Sequence, residues 1–507
     1  MMYQSLLSRS FSKHEQKRLK YGGFFTFFLI SFSFFTIFKP YLAPLPFLHL
    51  RLSIGDGQKL RIVDDTNNSY EQTMSREIAN KSEETINKSQ PLFKDAEIIM
   101  KSTLMVNHSN FAPPTADDGD MEKRSELTEA VCKLMERSDF CEIKGDIRID
   151  ANSSTVFIIS SANSTTTQWS IRPYARKGDS AAMRRTREWS VKLVNDQRNT
   201  PKCTHNHNVP AVLFSLGGYS GNHFHAFTDI IVPLYSTARP FNGKVQFLVT
   251  DKQPWWIAKF KTILKALSRY DIIDVDNRDE NVHCFSSITV GLKRKSSKEL
   301  TIEAAESSMK EFMRFLRSCY SLRKKRAIKI LRNGIMKKKP RLLIISRKKS
   351  RAFSNVDEIG RMGKRLGYKV VVDEPDGNIS RSAQVMNSCD VVLGVHGAGL
   401  TNMLFLPENA VLIQVVPFGG AEWVSKTFFE DPSKAMKIRY LEYKISIQES
   451  SLIHQYPSDH VVLSNPSVVQ KQGWEAFKSI YFDKQNVEID LNRFRPTLIK
   501  ALELLGS

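Results

Sequence analysis

The stretch that decides the fold runs Asp390-Val-Val-Leu-Gly-Val-His396-Gly397-Ala398-Gly399-Leu400-Thr401-Asn402. It reads as a short apolar strand, a glycine-rich turn and the start of a helix. An apolar run of this length with no alternation fits a parallel strand buried on both faces. Small residues at the turn let a ligand approach backbone N–H groups, and the helix N-terminus favours an anion such as a diphosphate. Thr401 and Asn402 carry groups that either cap the helix or bind ligand oxygens. The pattern is not G-x-G-x-x-G and no Walker lysine follows. A packing turn that merely needs small residues is the competing reading.

Working outward, the same alternation extends on both sides. Arg341–Ser346, Tyr368–Val372, Asp390–Val395 and Val411–Val416 read as strands; Val356–Leu366, Ser382–Ser388 and Leu400–Phe405 read as helices. An earlier series has strands at Ala211–Leu216, Val245–Thr250 and Ser286–Gly291, with helices from Asn222 and over Trp255–Leu267. Residues 304–333 are expected to form one long basic helix joining the two series, and Asn492–Leu505 a closing amphipathic helix. Two such series predict two Rossmann-like lobes.

The second series offers cations at its strand ends. Ser346-Arg347-Lys348-Lys349-Ser350-Arg351 follows the first strand, where an α/β fold binds anions. Arg347 and Arg351 are suited to bidentate contact with a diphosphate. The runs Arg323–Arg326 and Lys337–Lys339 read as solvated faces. In the first series, Gly217-Gly218-Tyr219-Ser220-Gly221-Asn222-His223-Phe224-His225 leads to Asp229. On a helix His225 and Asp229 are i, i+4 and share a face, which suits a general base with its orienter, and Tyr219, Asn222 and His223 are candidate acceptor contacts. A capping or core histidine with a paired aspartate is the bland alternative. For His225 and Asp229 a third metal ligand at useful spacing is not evident; Asp274-Val275-Asp276 is a D-x-D triplet of the kind that holds a divalent cation on a diphosphate, but it sits in an acid-rich turn, so no metal site is assigned.

The chain has 507 residues and a formal net charge of +21, which calls for an anionic partner without choosing it. No nucleic-acid-binding motif is present. Arg9, Lys13, Lys17, Arg18 and Lys20 precede an uncharged span from Tyr21 to Phe38 that holds eight Phe. That order keeps the N-terminus cytosolic and sends the remainder across the membrane. A cleaved signal would need a small-residue cleavage site, and none follows; Lys39-Pro40 closes the span instead. The expected organisation is a cytosolic tail (1–20), a signal-anchor helix (21–39), a flexible lumenal stem (40–125), a first lobe (126–335) and a second lobe (336–507). Sequons fall at Asn67, Asn80, Asn87, Asn107, Asn152, Asn163 and Asn378, the first six crowded into the stem and the lobe entry. Cys132 and Cys141 flank a polar turn and are candidates for a disulfide; the pairing of Cys203, Cys284, Cys319 and Cys389 is open.

These segments together resemble glycosyltransferase family 61, in its plant xylan-decorating branch. The resemblance rests on Pro210 to Asn222, Phe224-His225 with Phe227-Thr228-Asp229, Val282-His-Cys284-Phe, Ser346 to Phe353, Asn387 through Asn402, Gln472-Gly-Trp474 and Asn492-Arg-Phe-Arg-Pro496. One departure is Ala226, where family members often carry an acid. The resemblance implies a GT-B fold, inversion at the anomeric carbon and no obligatory metal or other cofactor. It also implies a UDP-pentose donor bound by Arg347, Arg351, His396, Gly397, Gly399, Thr401 and Asn402, a xylan acceptor, and a Golgi membrane location with the catalytic domain lumenal. An N-glycan core β-1,2-xylosyltransferase and a non-catalytic scaffold for xylan synthase complex members are the alternatives.

Overall fold

Apolar strands that no water reaches organise the chain. The computed structural model describes residues 129–160, 167–195, 200–276, 281–303, 308–330 and 338–506. The expected tail, anchor and stem therefore lie outside the described residues, and none of the described helices is long and apolar enough to cross a membrane. The first sheet contains β1 (Glu129–Leu134), β2 (Asp139–Asp150), β3 (Thr155–Ile159), β4 (Gln168–Ile171), β5 (Trp189–Val194), β6 (His205–His207), β7 (Ala211–Ser215), β8 (Gln246–Thr250), β9 (Ile273–Asp274) and β10 (Val282–Val290). Every residue of β7 and β8 is buried, as expected for parallel strands covered on both faces. The parallel part runs β9-β8-β7-β10, so the strand order reverses between β7 and β10. Such a reversal opens a crevice at the carboxyl ends of the strands.

The second sheet is wholly parallel, with β11 (Arg341–Ile345), β12 (Lys369–Asp373), β13 (Val391–Val395), β14 (Val411–Val416) and β15 (Arg439–Lys444) in the order β12-β11-β13-β14-β15. Here the order reverses between β11 and β13. The segments leaving those two strands are the basic cluster at Arg347 and the glycine-rich turn at Gly397. The terminal helix Leu491–Gly506 buries Phe494, Leu498, Ala501 and Leu505 in this lobe. The two Rossmann-like lobes and most of their strands thus match the sequence reading.

Three elements differ from it. The first lobe opens on a strand to which the sequence reading assigned no element, β1, held antiparallel to β2 and joined to it by the Cys132–Cys141 disulfide. The first sheet also extends through β2–β5, with β2 antiparallel to β10, which makes the lobe broader than a plain Rossmann half. The long basic helix over 304–333 is instead a helix at Met309–Cys319. A capping box between Ser308 and Glu311 starts it. Ser321, at φ 52°, stops it, and Leu322 N–H bonds back to Arg317 O at 2.9 Å. The chain then extends and pairs Arg326 with Glu408.

A second disulfide, Cys203–Cys284, ties the segment before β6 to β10 across 81 positions. Removing it as Cys203→Ser/Cys284→Ser should lower unfolding free energy by about 2–4 kcal/mol, since a long loop regains its freedom in the unfolded chain. Urea denaturation measures this; an unchanged midpoint would mean that the tie adds nothing to the sheet.

Candidate active site

β7 ends at Ser215 and the chain turns through Gly217 and Gly218. Gly218 has φ 56°, and a Cβ there would lie 2.5 Å from the Tyr174 ring. That close approach lets the Tyr174 hydroxyl accept from Tyr219 N–H at 3.1 Å while donating to Asp229 Oδ2 at 3.0 Å. Asn222 then caps the next helix, its side chain accepting from Phe224 N–H. The helix begins at His223–His225, widens into a π segment over Ala226–Ile231 and continues as Val232–Ala238. Such insertions recur at functional sites.

His225 and Asp229 meet as the spacing predicts. Nδ1 of His225 lies 2.9 Å from Asp229 Oδ2, so with the Nδ1–H tautomer the carboxylate orients the ring and leaves Nε2 to act on a ligand. The Asp229 side chain itself has no exposure. Oδ1 accepts from Arg176 at 3.1 Å and Arg294 at 3.4 Å, and Arg137 lies at 3.6 Å. Burial alone would raise the Asp229 pKa, but Arg176, then His225 and Arg294, outweigh it and hold the carboxyl well below the usual range. Asp229 is therefore an ionised orienter, and of the two candidate bases only His225 has a ring nitrogen available. Glu299 completes the cluster, accepting from Arg137 at 2.7 Å, from Thr228 Oγ1 at 2.8 Å and from Arg294 at 3.3 Å. Arg294 follows β10, so this cluster sits at the strand-order reversal of the first sheet.

In the second lobe, the carboxyl ends of β11 and β13 bring Arg347 and Arg351 against Gly397. A Cβ on Gly397, at φ 153°, would lie 2.7 Å from Arg347 Nη1 and 2.8 Å from Arg351 Nη1. Arg351 donates to His396 O at 2.9 Å and lies 4.9 Å over the Phe482 ring. Its Nε is buried without a partner, as is Thr401 Oγ1. Among the described residues neither arginine forms an ion pair with a carboxylate. Burial, then the neighbouring Arg347, pushes the Arg351 pKa down to about 10. His396 is buried too, and burial followed by the two arginines pushes its pKa down to about 3, so the ring is neutral. Its Nδ1 accepts from Gln414 Nε2 at 2.7 Å, which leaves Nε2 as a donor.

The two lobes share a seam. His223 Nε2 lies 3.2 Å from Asn402 Oδ1, and Asn402 Nδ2 donates to Gly399 O at 3.0 Å. Phe224 stacks on Phe428 at 4.6 Å beside that bond. His223 and Asn402 thus hold the lobes together, and Asn222 is a helix cap; neither His223 nor Asn222 is placed as a free acceptor contact. Tyr219 packs its ring 4.9 Å from His225 and donates its hydroxyl to Asp179 at 3.0 Å. Asp274 pairs with Lys252 at 3.0 Å, and Asp276 accepts from Thr250 at 2.7 Å, so the D-x-D triplet is engaged in local structure. Asn152 and Asn378 are exposed, whereas Asn67, Asn80, Asn87, Asn107 and Asn163 lie outside the described residues. Arg137, Tyr174, Arg176, Arg294 and Glu299 were not singled out from the sequence; their only local signal is that charged residues lie just beyond strand ends.

Fold and seam define a two-lobed Rossmann-like α/β protein with a cation-lined crevice. The family model described as Glycosyltransferase 61 matches residues 223–413, which span both sides of that seam. The chain is 46% identical over 377 residues to the alpha-1,3-arabinosyltransferase XAT2 of Oryza sativa subsp. japonica, covering 73% of this chain and 63% of that protein, just under two thirds of its length. It is 41% identical over 389 residues to the beta-1,2-xylosyltransferase XYXT1 of the same organism, covering 73% and 83%. It is 37% identical over 388 residues to the xylan glycosyltransferase MUCI21 of Arabidopsis thaliana, covering 72% and 77%. The chain belongs to glycosyltransferase family 61, as the sequence motifs suggested.

Asp229→Asn keeps the shape of the side chain but leaves three guanidiniums with Glu299 as their one buried carboxylate and the partly exposed Asp179 beside Arg176. It should lower unfolding free energy by about 3–5 kcal/mol at neutral pH, the usual cost of breaking a buried charge cluster. His225→Ala should cost no more than about 1.5 kcal/mol. The Asp229 pKa is depressed from the ordinary 3.8, so its stabilisation is fully present above that value and is lost only as pH falls through the folded value. Equal losses for both variants in urea would contradict this division of roles.

Proposed function

We propose that the chain is an inverting glycosyltransferase of GT-B architecture that transfers a pentose from a UDP-sugar to xylan. The observation that carries this reading is the pair of half-buried guanidiniums, Arg347 and Arg351, that have no carboxylate partner among the described residues and flank Gly397 where the strand order reverses. A diphosphate supplies the missing countercharge, and the backbone N–H groups opening the segment Ala398–Phe405 add to it. The relatives' names carry both arabinosyl and xylosyl transfer, so the donor is stated only as a pentose.

The reaction follows from the two halves of the seam. Nε2 of His225 takes the proton of an acceptor hydroxyl as its oxygen attacks the anomeric carbon. The bond from that carbon to the diphosphate breaks on the opposite face, and UDP leaves with the electron pair. Arg347 and Arg351 meet the negative charge as it develops, while Asp229 stabilises the imidazolium that forms. This assigns the leaving-group charge to arginine and requires no obligatory metal. Ala226 does not disturb the scheme, because it is buried in the core and the His225–Asp229 bond is made without an acid there. The apolar span at 21–38, the sequon-rich segment after it and the two disulfides support a Golgi lumenal location for the catalytic lobes.

Arg351→Ala should weaken UDP binding by about 2–5 kcal/mol, as loss of one member of a desolvated charge pair does. Calorimetry with UDP reads this, and wild-type affinity in a folded variant would remove the donor site from this crevice. His225→Ala should reduce turnover about 10²–10⁴-fold with UDP affinity near wild type. Transfer to labelled xylo-oligosaccharide, scored by mass, provides the rate; full activity would make His225 structural.

A further inference from the structure

The basic run after the helix Met309–Cys319 is not merely a solvated face. Lys310, Arg314 and Arg317 from the helix, with Lys325 and Arg326 beyond it, line a cavity of about 490 Å³ against Glu408. Five cations face one carboxylate among the described residues. Glu408 reaches Arg317 at 3.8 Å and Arg326 at 4.0 Å, and its side chain is only 12% exposed. The side chain of Arg317 is 9% exposed, and its Nη1 is buried with no hydrogen-bond partner. A guanidinium nitrogen buried without a partner in a residue that lines the cavity is an unmet donor. Lys437 adds to the excess: its neighbouring like charge lowers the Lys310 pKa. Two serines, Ser318 and Ser321, add hydroxyl donors to the lining.

The geometry points to a second anion site at this cavity, separate from the crevice, that takes a multivalent oxyanion. Closely spaced guanidinium and ammonium groups with hydroxyl donors match phosphate oxygens in charge and in hydrogen bonding. The volume admits a ligand the size of a pyrophosphate or a phospholipid headgroup. The site does not depend on the transferase reading, because none of its residues belongs to that machinery.

Pyrophosphate is titrated by calorimetry into Arg347→Ala/Arg351→Ala protein, in which both crevice arginines are gone. Saturable binding that weakens at least ten-fold when Arg314→Glu/Lys325→Glu is added supports the site and assigns it to a free anion. The two added changes are at exposed side chains, and thermal melting checks that the fold is kept. In parallel, the same proteins are sedimented with phosphatidylcholine vesicles containing or lacking phosphatidic acid. Binding to the acidic vesicles alone, lost on charge reversal and without pyrophosphate binding, supports the site and assigns it to a headgroup. Absence of both, or binding indifferent to the reversal, overturns the proposal.

Discussion

Two half-buried guanidiniums, Arg347 and Arg351, with no carboxylate partner among the described residues are the constraint on which the second lobe is built. Burying a charge unpaired is costly, so the fold must hold it firmly. Arg351 adopts φ 54°, a strained backbone for a bulky residue, and its N–H is tied to Gln485 O at 2.6 Å. Phe482 lies under its guanidinium, and Gly397 has no side chain to push it aside. Burial, then the same two cations, keep His396 neutral, and Gln414 fixes its tautomer. Removing water from such a pair strengthens its attraction for a ligand phosphate.

The first lobe solves the opposite problem. There three arginines face two buried carboxylates, so the cluster is nearly neutralised internally and serves as scaffold. Its product is one oriented imidazole. Tyr174 links that cluster to the glycine turn, and the turn positions Tyr219 against His225. The His223–Asn402 hydrogen bond and the Phe224–Phe428 stack then fix the imidazole's helix to the segment that begins at Gly397. In the proposed reaction, charge recognition and proton transfer are thereby kept on separate lobes with a shared seam.

The parallel strands were legible because their signal is local: Val391–Val395 and Ala211–Phe214 carry no polar side chain, and glycine turns follow them. So were Arg347, Arg351, His225 and Asp229, whose spacing alone brings them near a strand end or onto one face. The antiparallel extension was harder to read. β2 alternates buried and exposed positions along a polar sequence, and its partners are fixed by pairing rather than by composition. The basic helix was overextended because lysines and arginines sustain helical propensity, while the stop is made by one left-handed residue, Ser321. Arg137 and Glu299 meet across 162 positions, a contact that no local pattern announces. Asn222 and His223 had the right chemistry for ligand contact, but capping and lobe docking engage them.

The central claim is that a diphosphate completes the second lobe. The most direct test follows thermal unfolding of the intact protein with UDP and, separately, with uridine. A ligand that binds only the folded state at 100 times its dissociation constant adds about 2.7 kcal/mol of stability. UDP should therefore raise the melting temperature by several degrees, and uridine at equal concentration should leave it unchanged. Equal stabilisation by both ligands, or none by UDP, would contradict the assignment of Arg347 and Arg351 to the diphosphate.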